Sequence, residues 1–203
     1  MSDDAPFPVL PTDRLDDGGW TLADESVETV FRMPTARVVG ATSLYDDART
    51  RTAARDATDI DQQWRFFFAT RLTFEPPLAP GIGPPMVLPT VRSEAQSAFA
   101  DQLRDRGFSH VEKGRRERIR VGTGDRARLR SYSAAVDLEG VGETLSVTGW
   151  VAVWHSDGFR IAAGAYPDDP VADLLGIADA PDELRRTPGE YRDDLLSLIR
   201  AVE

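Results

Sequence analysis

The chain has 203 residues and a net charge of −10, with 41% hydrophobic and 29% charged residues. These are the proportions of one folded domain, not of a disordered chain. The absence of cysteine removes disulfides, thiolate zinc sites and cysteine nucleophiles together. No apolar stretch approaches the ~18 residues needed to span a bilayer, and the negative balance opposes nucleic acid and anionic membranes at low salt.

Of 24 cationic residues, only Lys113 is lysine, and they stand among 34 carboxylates. Excluded salts strengthen effective burial, and acidic side chains promote solubility more than basic ones. The composition therefore reads as that of a protein working in concentrated salt. The start, Met1-Ser2-Asp3-Asp4-Ala5-Pro6, has neither the basic nor the apolar region of a secretory signal, so a cytoplasmic location is expected.

Residues 1–19, rich in Pro, Asp and Gly, are expected to form an extended arm ahead of a single domain over 20–203. Trp20 to Tyr45 reads as two strands with a turn at Met33-Pro34. Residues 46–63 suit either a strand extension or a short helix. Trp64 to Phe74 is a strand with Trp64, Phe66, Phe68, Leu72 and Phe74 on one face and Arg65, Phe67 and Arg71 on the other. A Pro/Gly loop, 76–89, is expected to be irregular. Thr90 then caps a helix with the stripe Val91, Ala95, Ala98, Phe99 and Leu103, closed by Gly107.

Phe108–Val121 and Arg126–Leu138 read as paired strands. Thr144–Trp154 and Phe159–Tyr166 form a hairpin, with Asp157-Gly158 as a two-residue turn. That turn would set Trp154 opposite Ile161 and Trp150 opposite Ala165. Residues 168–189 look like an embellishment. A final helix carries Tyr191, Leu195, Leu198, Ile199 and Val202 on one stripe. Strands, helix, four strands and helix in that order predict an α+β fold, an antiparallel β-sheet flanked by helices.

Several stretches carry a resemblance: Gly19-Trp20-Thr21-Leu22, Arg130-Ser131-Tyr132-Ser133-Ala134, the run Gly158 to Pro167, and the closing leucine-rich helix. Together they resemble a haloarchaeal family of uncharacterised proteins, many of them lipoproteins. The layout is similar to the PsbP/Mog1-like sandwich. The resemblance implies a fold and no activity, and this chain lacks the lipobox cysteine of the lipoprotein members.

The chemistry-bearing residues are sparse. His155-Ser156-Asp157 spells a hydrolase triad, but neighbours on a turn cannot form the relay. Two histidines distant in sequence, and Asp56, Asp59 and Asp61 without calcium-loop spacing, leave no metal or cofactor expected. Gly122-Thr123-Gly124 lacks the Lys-Ser/Thr pair of a phosphate loop. No catalytic residue is assigned.

The local anomaly is Arg104 to Arg130, with ten cations against four acids. Arg116, Arg118 and Arg120 share one strand face, as do Arg126, Arg128 and Arg130, and an odd-length loop puts both sets on the same side. Like charges directly opposite destabilise, so acidic partners are expected nearby. The alternatives are an internal ion-pair network, a protein-partner surface and a nucleic-acid surface. Six phosphate contacts would give a salt slope near −5, a loss of about seven powers of ten from roughly 0.1 M to a few molar salt. That argues against nucleic acid.

The expected function is a non-enzymatic protein-binding or assembly module, with another protein as partner. It would use these six arginines together with Ile82 and Met86 of the loop. The alternatives are a carrier of a small apolar ligand, with a pocket lined by Trp64, Phe66, Trp150 and Trp154, and an enzyme of unrecognised type.

Overall fold

The computed structural model describes residues 5–138 and 141–203. Seven antiparallel strands, β1 (Trp20–Met33), β2 (Ala36–Asp47), β3 (Phe66–Glu75), β4 (Ser109–Arg120), β5 (Arg126–Asp137), β6 (Thr144–His155) and β7 (Phe159–Pro167), form one sheet. Their order is β1-β2-β3-β7-β6-β5-β4. Helix α3 (Pro84–Asp105) covers one face, and α6 (Pro188–Ala201) with α1 (Thr12–Gly18) covers the other. The expected α+β fold, a sheet flanked by helices, is the observed one.

The even-numbered aromatics of β3 pack into the α3-side core, while Phe67 and Ala69 enter the α6-side core. Two glycines on neighbouring strands let the helices approach. A Cβ on Gly149 would stand 2.8 Å from the Phe99 ring of α3, and one on Gly164 would stand 2.7 Å from Leu195 of α6. The helical stripes fall as expected, except that Ala98 is exposed and Ala100 is buried. Gly107, at φ +87°, ends α3. The Gly107 amide donates to Arg104 and the Phe108 amide to Leu103, satisfying two terminal carbonyls.

Several expectations need correction. Residues 1–4 of the expected arm lie outside the described residues; in the rest, α1 forms and buries Leu15, and Val9 and Glu203 exchange backbone hydrogen bonds of 2.9 Å. Of the two forms expected for residues 46–63, the helix is the one present: α2 (Ala48–Thr58), capped by Asp47, which accepts from the Thr50 amide at 3.0 Å. The Pro/Gly loop is shorter than expected because α3 starts at Pro84, not after Thr90. Pro84 and Pro85 occupy first-turn positions, where the missing N–H has no helical partner to lose. Pro89 lies inside the helix. Its cost of roughly 3 kcal/mol is offset by burial of Val87 and Val91. The segment 168–189 is no decoration. Its helices α4 (Val171–Leu174) and α5 (Asp182–Arg185) place Val171, Ala172 and Leu184 in the core, with Ala180 from the stretch between them.

The β6–β7 hairpin departs from the expected register by one residue. Its turn has three residues, with His155 opposite Phe159, Trp154 opposite Arg160 and Trp150 opposite Gly164. This register brings Asp157 to Arg160 at 2.6 Å and to Arg71 at 3.5 Å. A one-residue slip changes which side chains share a face. Among the described residues, no helix is long and apolar enough to cross a membrane.

Candidate functional site: an arginine cleft

The β4–β5 loop spans 121–125, so strand residues equidistant from Thr123 pair. Arg116 lies opposite Arg130, Arg118 opposite Arg128, and Arg120 opposite Arg126. Six arginines therefore form a three-rung ladder on one face of the hairpin. The alignment of Arg128 and Arg130 with Val153 and Val151 of β6 shows that this is the α3 side.

The first turns of α3 supply the opposite wall. Pro89, Arg92, Ser93 and Gln96 face Arg116, Arg118, Arg128 and Arg130 across a cleft of about 690 Å³. Arg92 was missed in the sequence. Its signal was its position beside the stripe residue Val91, on a helix that must pack near β5. Burial, followed by the charges of Arg128 and Arg118, pushes the Arg92 guanidinium below its ordinary pKa.

The expected acidic partners are not there. Among the described residues, none of the six ladder arginines, nor Arg92, is in an ion pair. Arg120 donates to the Gly124 carbonyl at 2.8 Å and Arg130 to the Gly114 carbonyl at 2.9 Å. The Nε atoms of Arg92 and Arg130 are buried without a partner. Glu117 also borders the cleft, but its odd position points it to the other face. There it accepts from Arg192 at 2.8 Å and forms an ion pair with Arg115 at 3.0 Å. The α3 residues that face the ladder, Pro89, Arg92, Ser93 and Gln96, include no carboxylate.

Met86 and Ile82 are exposed, at 68% and 39%. Met86 continues the cleft-lining side of α3, since Met86, Pro89, Ser93 and Gln96 recur at helical spacing. Ile82 sits in the turn just ahead of the helix, where its amide donates to Ala79.

The aromatic pocket proposed from sequence does not exist as drawn. Trp64 and Phe66 lie in the α3-side core, and Trp150 and Trp154 in the α6-side core, with the sheet between them. The one-residue register difference in β6–β7 is the reason. A sheet–helix pocket occurs instead between α3 and β1–β3, with a volume of about 190 Å³ and Phe68 and Phe99 in its lining.

The histidines lie apart from the arginine cleft. His155 packs edge-on against Phe159 at 4.8 Å, and His110 adopts a positive φ of 51° in an irregular stretch of β4. Another cavity, of about 280 Å³, contains Asp168, Tyr166 and Trp150. Burial raises the Asp168 carboxyl pKa despite a 2.6 Å hydrogen bond from Thr148. This cavity has no histidine in its lining. Asp59 ends α2 and Asp61 pairs with Arg51, so neither belongs to a shared acidic site with Asp56.

The architecture is thus an α+β protein with a cationic cleft at one end of its sheet. Residues 7–203 match the family described as a domain of unknown function (DUF6517), and the chain belongs to that family. No curated protein and no solved structure matches it.

Proposed function

We propose that this chain is a protein-binding module whose arginine cleft receives an acidic segment of another protein. The supporting observation is the three-rung ladder joined by Arg92, with no carboxylate partner among the described residues. Directly opposed like charges cost stability, and a carboxylate-bearing partner relieves that cost. Arginine suits the task because its planar fork engages carboxylates bidentately. Cross-strand rungs recur every second residue, about 7 Å apart. That repeat matches alternate side chains of an extended peptide. Exposed Met86, on the cleft-lining side of α3, offers an apolar anchor, as interface centres use; Ile82, exposed in the turn ahead of the helix, belongs to the same proposed surface.

The reading continues the sequence expectation that the partner is a protein and not nucleic acid, and that the protein works in salt as an intracellular, haloarchaeal-type chain. Titration calorimetry with a synthetic peptide of alternating Asp and apolar residues tests it. Binding should weaken by an order of magnitude or more in Arg118→Glu/Arg128→Glu, since charge pairs at interfaces couple by about 1.5 kcal/mol or more. Tighter binding of a single-stranded oligonucleotide than of the peptide contradicts the proposal.

A further inference from the structure

The two ends of the sheet are complementary to each other. We infer that the acidic segment received by the arginine ladder is strand β1 of a second copy of this chain, so that copies join head to tail in one continued sheet. This rests on the ladder reading and names its partner.

β1 and β4 end the strand order, so each has a strand neighbour on one side only. The other side of such a strand presents backbone N–H and C=O groups, a template for a further strand. Bulges interrupt both edges and leave one regular stretch in each. The register of β1 shifts at Leu22/Asp24 and at Thr29/Phe31, which leaves 24–29 regular. That of β4 shifts at Ser109/Glu112 and at Lys113/Arg116, which leaves 116–120 regular. Bulges hinder edge pairing along the rest of both strands, and this confines the contact to the two regular stretches.

These stretches carry opposite charge. The first holds Asp24, Glu25 and Glu28, and the second holds Arg116, Arg118 and Arg120 with Glu117. All but Glu117 are exposed. Among the described residues, neither the three β1 acids nor the three arginines are in an ion pair. The faces agree as well. Asp24, Ser26 and Glu28 lie on the α3 side, beside Ala95 and Phe99, and so do Arg116, Arg118 and Arg120.

Six antiparallel pairings separate β1 from β4, so the two edges run in the same direction. A neighbouring copy with its α3 on the same side therefore sets its β1 parallel to β4. With Ser26 beside Arg118, Asp24 meets Arg116 and Glu28 meets Arg120. On the other face Val27 meets Ile119. Glu25 meets Glu117, whose charge is already answered by Arg192 and Arg115. A two-fold contact would instead bring β1 to β1 or β4 to β4, opposing like charges. Charge thus selects the head-to-tail contact, the type that builds rings or filaments. The contact is small and parallel, so assembly is reversible and concentration-dependent.

The test is analytical ultracentrifugation of the full chain. The wild type should form species larger than a dimer as concentration rises. Asp24→Lys/Glu28→Lys should weaken self-association about tenfold or more, and so should Arg116→Glu/Arg120→Glu. An equimolar mixture of the two variants should associate again, because each supplies the intact edge that the other lacks. The substituted positions are exposed, so both variants should keep the wild-type far-UV circular dichroism. The inference is overturned if the wild type stays monomeric, if either variant associates as tightly as the wild type, or if the mixture associates no more than its components. A monomeric wild type that still binds the acidic peptide removes this inference and leaves the ladder reading standing; loss of peptide binding as well removes both.

Discussion

Arg65 and the Arg116–Arg130 ladder are the same residue type in opposite circumstances. Arg65 is 1% exposed on the α6 side. It donates to Asp47 at 2.8 Å and Asp194 at 2.6 Å. Its guanidinium lies between the rings of Trp20 and Tyr191, at 4.7 and 4.6 Å. The ladder arginines are mostly exposed, oppose each other and lack carboxylate partners among the described residues. One guanidinium is committed to the fold; the others meet no carboxylate among the described residues. Arginine count says nothing about role until the partners are known.

The comparison can be broken most severely at Arg65. Arg65→Met keeps the stem and strands the buried Asp47 carboxylate, which also caps α2. A loss of about 3–5 kcal/mol is expected, read as a lower midpoint in urea unfolding. Arg65→Lys should recover only part of it, because an ammonium cannot span both carboxylates with a planar fork.

A smaller effect sharpens the link between fold and cleft. Gly149→Val places branched carbon against the Phe99 ring, where even a Cβ stands too close. Overpacking should cost about 1–3 kcal/mol and push α3 outward, moving Arg92 relative to the ladder. Calorimetric stability and acidic-peptide affinity should fall together.

The smallest effect concerns pH. The Glu190 carboxyl accepts from the Thr187 amide at 2.8 Å, and this bond holds its pKa below the ordinary carboxylate value. A lowered folded-state pKa contributes stability above the unfolded value and loses it as pH falls through the folded one. Glu190→Gln should therefore flatten stability across the acid limb and leave ladder binding unchanged, as measured by thermal melts between about pH 5 and pH 2.

Much of this was legible in the sequence because short-range rules carried it. Strand alternation in β3 sorted Phe66 from Phe67 correctly, and the helical stripe around Tyr191 and Leu195 predicted α6. The symmetry of Arg116–Arg120 and Arg126–Arg130 about Thr123 placed both sets on one face. What failed depended on longer-range competition. The Asp157-Gly158 turn was misread because the contacts of Asp157 with Arg160 and Arg71 favour a three-residue loop. That single residue separated Trp150 and Trp154 from Trp64 and Phe66. The missing acidic partners could not be seen either, since they depend on which elements cover the hairpin edge.

The central claim is that the ladder is kept for a ligand at a cost to the free protein. Urea unfolding of Arg118→Glu, without any ligand, tests it most directly. Replacing one like-charge rung with an attractive one should raise the unfolding free energy by about 0.2–1 kcal/mol. A fall of similar size would mean that Arg118 already has a stabilising partner within the fold, and would contradict the account.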